Sequence, residues 1–124
     1  MGARILIVED DEPVRVLTQS VIEEAGYSTL TAGSVDEGLA LLTPECAIDL
    51  VFTDLNLGDR EDGGVSVGRH ARDVLPNIPV IYSSGAGVTD GTRALFVPGS
   101  TFLAKPYQNT DLTDALSRAL DQQR

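Results

Sequence analysis

Five short apolar runs, interleaved with stretches whose apolar residues recur at helical spacing, dictate what this chain can fold into. The first is Ile5-Leu6-Ile7-Val8, closed by the acidic run Glu9-Asp10-Asp11-Glu12. A continuous apolar run this short reads as a strand buried on both faces, as in a parallel sheet. Residues 28–32 alternate as a second strand, and residues 49–53 repeat the buried pattern and deliver Asp54 to a strand end. Residues 80–82 and 101–104 make the fourth and fifth.

The intervening segments carry the helices. Val14, Leu17 and Val21 share a face between Pro13, suited to a first turn, and Gly26, suited to a helix end. Ser34 can cap a helix bearing Val35, Leu39 and Leu42. Val67, Ala71 and Val74 mark a third helix, closed by Pro76 and Pro79, and Leu112, Ala115, Leu116, Ala119 and Leu120 an amphipathic last one. Residues 58–64, rich in Gly and Asp, read as a loop. Gly85, Gly87, Gly91 and Pro98 oppose helix formation, so the fourth helix is expected to be short or irregular, around residues 92–96. The predicted fold class is α/β: a doubly wound, five-stranded parallel sheet with helices on both faces. With 124 residues and no repeat or linker, one domain spanning residues 1–124 is expected.

Composition narrows the function. The net charge of −10, without any basic run, repels phosphate backbones and anionic lipid, so no direct nucleic-acid or membrane contact is expected. A single cysteine, Cys46, cannot build a disulfide framework or a cysteine-based zinc site. No apolar stretch approaches the roughly 20 residues of a membrane span, and no signal sequence opens the chain, which makes cytoplasmic residence the default.

In doubly wound sheets ligands gather outside the carboxyl ends of the strands. Here the first strand end carries Glu9, Asp10 and Asp11, the third Asp54, the fourth Ser83 and Ser84, and the fifth Lys105. Crowded carboxylates are driven toward protonation unless a cation neutralises them. Oxygen-only ligands with room for water suit Mg2+. Lys105 can pair with a carboxylate at rest or with a phosphoryl oxygen, a Ser hydroxyl can donate to the same group, and aspartate is a known phosphoryl acceptor. Taken singly, an acidic run after a strand is a solvated turn before a helix, and a strand-end Asp a turn former. Their joint occurrence in this order is what carries the argument.

Those residues resemble the receiver domain of two-component response regulators over nearly the whole chain. Four motifs carry the resemblance: residues 5–12, the acid-ended first strand; Val51-Phe52-Thr53-Asp54; Pro79-Val80-Ile81-Tyr82-Ser83-Ser84; and Phe102-Leu103-Ala104-Lys105-Pro106. The resemblance implies that Asp54 is the phosphoacceptor, that Asp10, Asp54 and the backbone carbonyl of Asn56 ligate Mg2+, and that Glu9 acts chiefly through metal-bound water. It implies that Ser84 and Lys105 contact phosphoryl oxygens, that Asp11 lies outside the metal shell, and that Ser84 and Phe102 switch the output surface. The implied partners are a histidine kinase or histidine phosphotransfer protein and a downstream protein target, with no catalysis beyond self-phosphorylation and slow autodephosphorylation. Only four residues follow Leu120, so the expectation is a stand-alone regulator, a phosphorelay intermediate or a receiver excised from a hybrid kinase.

Two features depart from the pattern: residues 57–64 form a longer loop without the common proline, and residues 85–91 are glycine-rich. Other readings fit less well. A haloacid-dehalogenase-type enzyme needs a second acid where Asn56 stands, as well as a cap domain. A flavodoxin-like nucleotide module needs a phosphate-cradling loop where residues 9–12 are acidic. A pseudo-receiver, binding partners without phosphorylation, is the remaining alternative, against which stands the full set Asp10, Asp54, Ser84 and Lys105. His70, beside Arg69, Arg72 and Asp73, reads as a surface residue, and Tyr82 and Tyr107 as packing residues.

Overall fold

The computed structural model describes residues 2–121. Along the chain it runs β1 (Arg4–Val8), α1 (Glu12–Glu24), β2 (Ser28–Ala32), α2 (Val35–Leu41), a 3-10 turn (Pro44–Cys46), β3 (Leu50–Asp54), α3 (Gly63–Val74), β4 (Val80–Ser84), α4 (Asp90–Arg93), β5 (Thr101–Ala104) and α5 (Asn109–Asp121). All strand pairings are parallel, in the order β2-β1-β3-β4-β5. The chain therefore reverses direction across the sheet at the β1/β3 pair, and the ends of those two strands flank the crevice in which such folds bind ligands.

Strand alternation divides the core in two. Leu6, Val8, Val51, Val80 and Tyr82 pack with Val35, Val67 and Ala71 on the α2/α3 side. Ile5, Ile7, Leu50, Phe52 and Ile81 pack with Ile22, Leu112 and Leu116 on the α1/α5 side. Burying each such aliphatic side chain stabilises the fold by about 1.5–3 kcal/mol, so the three central strands are held from both faces. Among the described residues no helix is long and apolar enough to cross a membrane.

Three local expectations need correction. Leu17 is 64% exposed, because α1 turns Thr18, Val21 and Ile22 inward. Thr18 fits the apolar stripe because its hydroxyl donates to the Val14 carbonyl within the helix, at 2.8 Å. Residues 63 and 64 open α3 rather than extending the loop. Both are tightly packed: a Cβ on Gly64 would come within 2.2 Å of the Asp54 carbonyl oxygen at the end of β3, and one on Gly63 within 2.8 Å of Val35 in α2. The fourth helix is short, as expected, but spans Asp90–Arg93. Thr89 caps it, accepting from the Thr92 N–H at 3.1 Å, while Phe96 leaves it to stack on Tyr82 with ring centroids 4.2 Å apart.

Candidate functional site

The buried strands deliver charge to one edge. Glu9 follows β1 directly, Asp54 ends β3, and Lys105 follows β5. By alternation all three emerge on the α1/α5 side, in step with Ile7, Phe52 and Leu103. The Lys105 Nζ lies 3.0 Å from Glu9 Oε1 and 3.4 Å from Asp54 Oδ1, tying the first, third and fifth strands together across the crevice. Glu9 is only 6% exposed, and its Oε2 accepts from the Asp11 N–H at 3.2 Å. Asp10 Oδ2 accepts from the Gly58 N–H at 2.9 Å, which anchors the long loop after β3 to the acidic run after β1. One oxygen from each of Glu9, Asp10 and Asp54 falls within a 4.8 Å span.

Three carboxylates face one ammonium here, and the imbalance shows in their acidities. Burial, then the neighbouring Glu9 charge, pushes Asp54 up to about 6, against the opposing pull of Lys105. Burial also works to raise Asp10, but the Gly58 N–H and its other hydrogen bonds outweigh it and hold the carboxyl below its usual value. Lys105 is penalised by burial and nevertheless held above its ordinary value by Glu9 and Asp54. The donor set of Glu9, Asp10 and Asp54 is all oxygen, convergent and short of positive charge, so it could hold a hard divalent metal ion. The Asn56 Oδ1 accepts from the Asp62 N–H at 3.1 Å.

The hydroxyls divide between the two faces. Ser84, 4% exposed, follows the alternation of Tyr82 onto the α2/α3 side, where its Oγ accepts from the Ala86 N–H at 3.1 Å. It lines a cleft of about 250 Å³ together with Asn56, Asp62, Ala86 and Thr92. Ser83 falls on the Asp54 side. Phe102 is half-buried, stacked 6.2 Å from Phe96, with the Arg93 guanidinium 5.1 Å from its ring centroid.

Several residues singled out in the sequence lie outside the cluster. Asp11 caps α1 by accepting from the Val14 N–H at 3.4 Å. His70 is half-buried on α3, and Cys46 is half-buried in the 3-10 turn. Tyr107 meets Phe52 edge-on with centroids 6.3 Å apart. Sequence reasoning missed Gly58 and Asp62. Gly58 adopts φ +64°, which its glycine identity hints at. Asp62, at φ 57° and 3.5 Å from the Thr92 hydroxyl, carries no comparable signal.

The chain resembles known proteins over nearly its whole length. The chain is 33% identical over 121 residues to transcriptional regulatory protein GlrR of Escherichia coli K12, covering 97% of this chain and 27% of that protein. It is 29% identical over 121 residues to sporulation initiation phosphotransferase F of Bacillus subtilis, covering 97% of this chain and 95% of that one. The chain spans roughly a quarter to a half of the length of most of the curated relatives it matches. The crystal structure of a response regulator receiver protein from Sinorhizobium medicae superposes with a TM-score of 0.90 at 29% identity, over 99% of this chain and 98% of that one. Residues 5–117 match the family described as response regulator receiver domain, and the chain belongs to that family.

Proposed function

We propose that this chain is a phosphoacceptor switch of a two-component or phosphorelay system, forming one receiver domain over residues 1–124 and taking a phosphoryl group onto Asp54. The observation that carries the reading is the Lys105 ammonium shared between Glu9 and Asp54 within a cluster of three convergent carboxylates. A group raised to about 6 is mostly ionised at neutral pH, so an Asp54 oxygen can attack phosphorus while the bond to the donor nitrogen breaks and its electron pair stays on the donor.

Glu9, Asp10, Asp54 and the Asn56 carbonyl would hold Mg2+, with Glu9 acting chiefly through bound water. When bound, the ion supplies the positive charge that offsets phosphoryl oxygens approaching an acidic edge. Lys105, already against Asp54, transfers its hydrogen bond to a phosphoryl oxygen. Ser84 donates its hydroxyl to another phosphoryl oxygen, drawing the loop after β4 inward. Phe102 follows by changing its packing against Phe96, which alters the surface presented to partners. Catalysis is confined to the domain's own phosphorylation and slow dephosphorylation. The donor is a histidine kinase or histidine phosphotransfer protein, and the recipient of the signal a downstream protein. The setting is cytoplasmic, without direct contact to nucleic acid or membrane.

Incubation with acetyl phosphate, with and without Mg2+, followed by intact mass at neutral pH, tests this. The expected result is one phosphoryl group that requires both Mg2+ and Asp54 and is absent from Asp54→Asn. Failure to label, together with failure to bind beryllofluoride with Mg2+, would overturn it in favour of a pseudo-receiver.

A further inference from the structure

Two hydroxyls end β4, and the reading above uses only Ser84. Ser83 stands on the opposite side of the sheet, in step with Ile81 of the α1/α5 side, whereas Ser84 is in step with Tyr82. It is the direct partner of Asp54 in the parallel ladder. Directly paired residues share a face at the strand spacing of about 4.8 Å, so a serine side chain there has the carboxyl group of Asp54 as its lateral neighbour.

On the other side of the ladder its neighbour is apolar. In the sheet it is flanked by Leu103 in β5, in a cluster with Phe52 and Ile81. Ser83 is 1% exposed, and among the described residues its Oγ is the one buried side-chain polar atom without a hydrogen-bond partner. A buried hydroxyl with no partner is destabilising, and Ala would fill this place at lower cost. Lys105 approaches Asp54 at Oδ1, 3.4 Å away.

We propose that the Ser83 hydroxyl turns about its Cα–Cβ bond to donate to the Asp54 carboxyl as the phosphoryl group departs, and thereby sets the lifetime of the acyl phosphate. The inference rests on phosphorylation of Asp54. In hydrolysis a water oxygen forms a new bond to phosphorus and the Asp54 O–P bond breaks. Its electron pair remains on Asp54 as carboxylate, and the water proton leaves to phosphate or solvent. Negative charge on the Asp54 oxygens grows as that bond stretches, and a hydroxyl that turns to donate to them in a water-poor place stabilises the transition state more than the acyl phosphate. Ser84 acts on the phosphoryl oxygens, while Ser83 acts on the leaving carboxylate.

The test labels wild type, Ser83→Ala and Ser83→Thr with acetyl phosphate and Mg2+, removes the donor, and follows loss of phosphate by intact mass. Thermal unfolding of the metal-free proteins is measured alongside. Loss of a hydrogen bond to a developing charge should slow Ser83→Ala roughly five- to tenfold, with Ser83→Thr staying within about twofold of wild type. Metal-free Ser83→Ala should unfold at or above the wild-type temperature, because it sheds an unpaired hydroxyl. Decay of Ser83→Ala at or above the wild-type rate, with wild type labelled, overturns this inference and leaves the Asp54 reading intact. Failure of wild type to label overturns both.

Discussion

The acid-bearing side of the sheet, β2-β1-β3, and the β4–α4–β5 side meet at the same crevice but are built differently. In β1 and β3 every residue from Ile5 to Val8 and from Leu50 to Phe52 is at most 5% exposed, and α1 spans thirteen residues with a side-chain cap. In β5 both end residues are exposed and the middle pair half-buried, and α4 is four residues long. The second side is held by a ladder of rings, Tyr82 on Phe96 on Phe102, with the Val97 N–H donating to the Tyr82 hydroxyl at 3.2 Å. Charges that repel must be fixed by an unyielding frame, whereas a surface that reports on them must be able to rearrange at low cost. On the proposed function the two tasks lie on different sides of the sheet.

Substitutions on either side of the sheet separate the two regions. The largest effect expected is at Asp54 itself: Asp54→Asn abolishes labelling by a phosphodonor, read by intact mass. Next is Gly64→Ala, whose methyl would sit 2.2 Å from the Asp54 carbonyl oxygen. It should cost about 3 kcal/mol in urea unfolding, because backbone lies on both sides of that contact. Its counterpart, Gly87→Ala, meets nothing within 4 Å and should change stability by less than about 0.5 kcal/mol.

Metal-free Asp54→Asn should also be more stable than wild type at neutral pH. With the Asp54 pKa raised from 3.8 to about 6, the protonated form is favoured by folding. That stability is present below the unfolded value and is lost as pH climbs toward 6. The advantage of Asn, roughly 2 kcal/mol after allowing for residual solvent, should therefore grow across that interval and level off above it. Thermal unfolding across that range checks it, and an advantage that shrinks as pH rises would contradict it. Phe96→Ala, which removes the middle ring of the ladder, should cost about 1–2 kcal/mol, since that ring is only partly buried. Hydrogen exchange should accelerate between residues 90 and 104 while β1 and β3 stay protected.

The sheet was legible because strands buried on both faces leave a continuous apolar run, and every strand lies within two residues of its expected limits. The charged cluster was legible for the same reason, since a strand end fixes where Glu9, Asp54 and Lys105 must emerge. What escaped was set by contacts between distant segments. Thr18 lies on the buried stripe of α1 because it satisfies its own hydroxyl, which spacing of apolar residues does not reveal. Gly63 and Gly64 look the same in sequence whether they loosen a loop or let a helix approach a strand. The extent of α4 depends on Phe96 finding Tyr82, and the anchoring of the long loop on Gly58 finding Asp10.

The division of labour is tested most directly by backbone amide NMR shifts as Mg2+ and beryllofluoride, a phosphoryl mimic, are added. Changes are expected at residues 9–11, 54–62, 83–97 and 102–105, with β2 and α2 unmoved. Shifts of equal size throughout β2 and α2, or none beyond the immediate neighbours of Asp54, would contradict it.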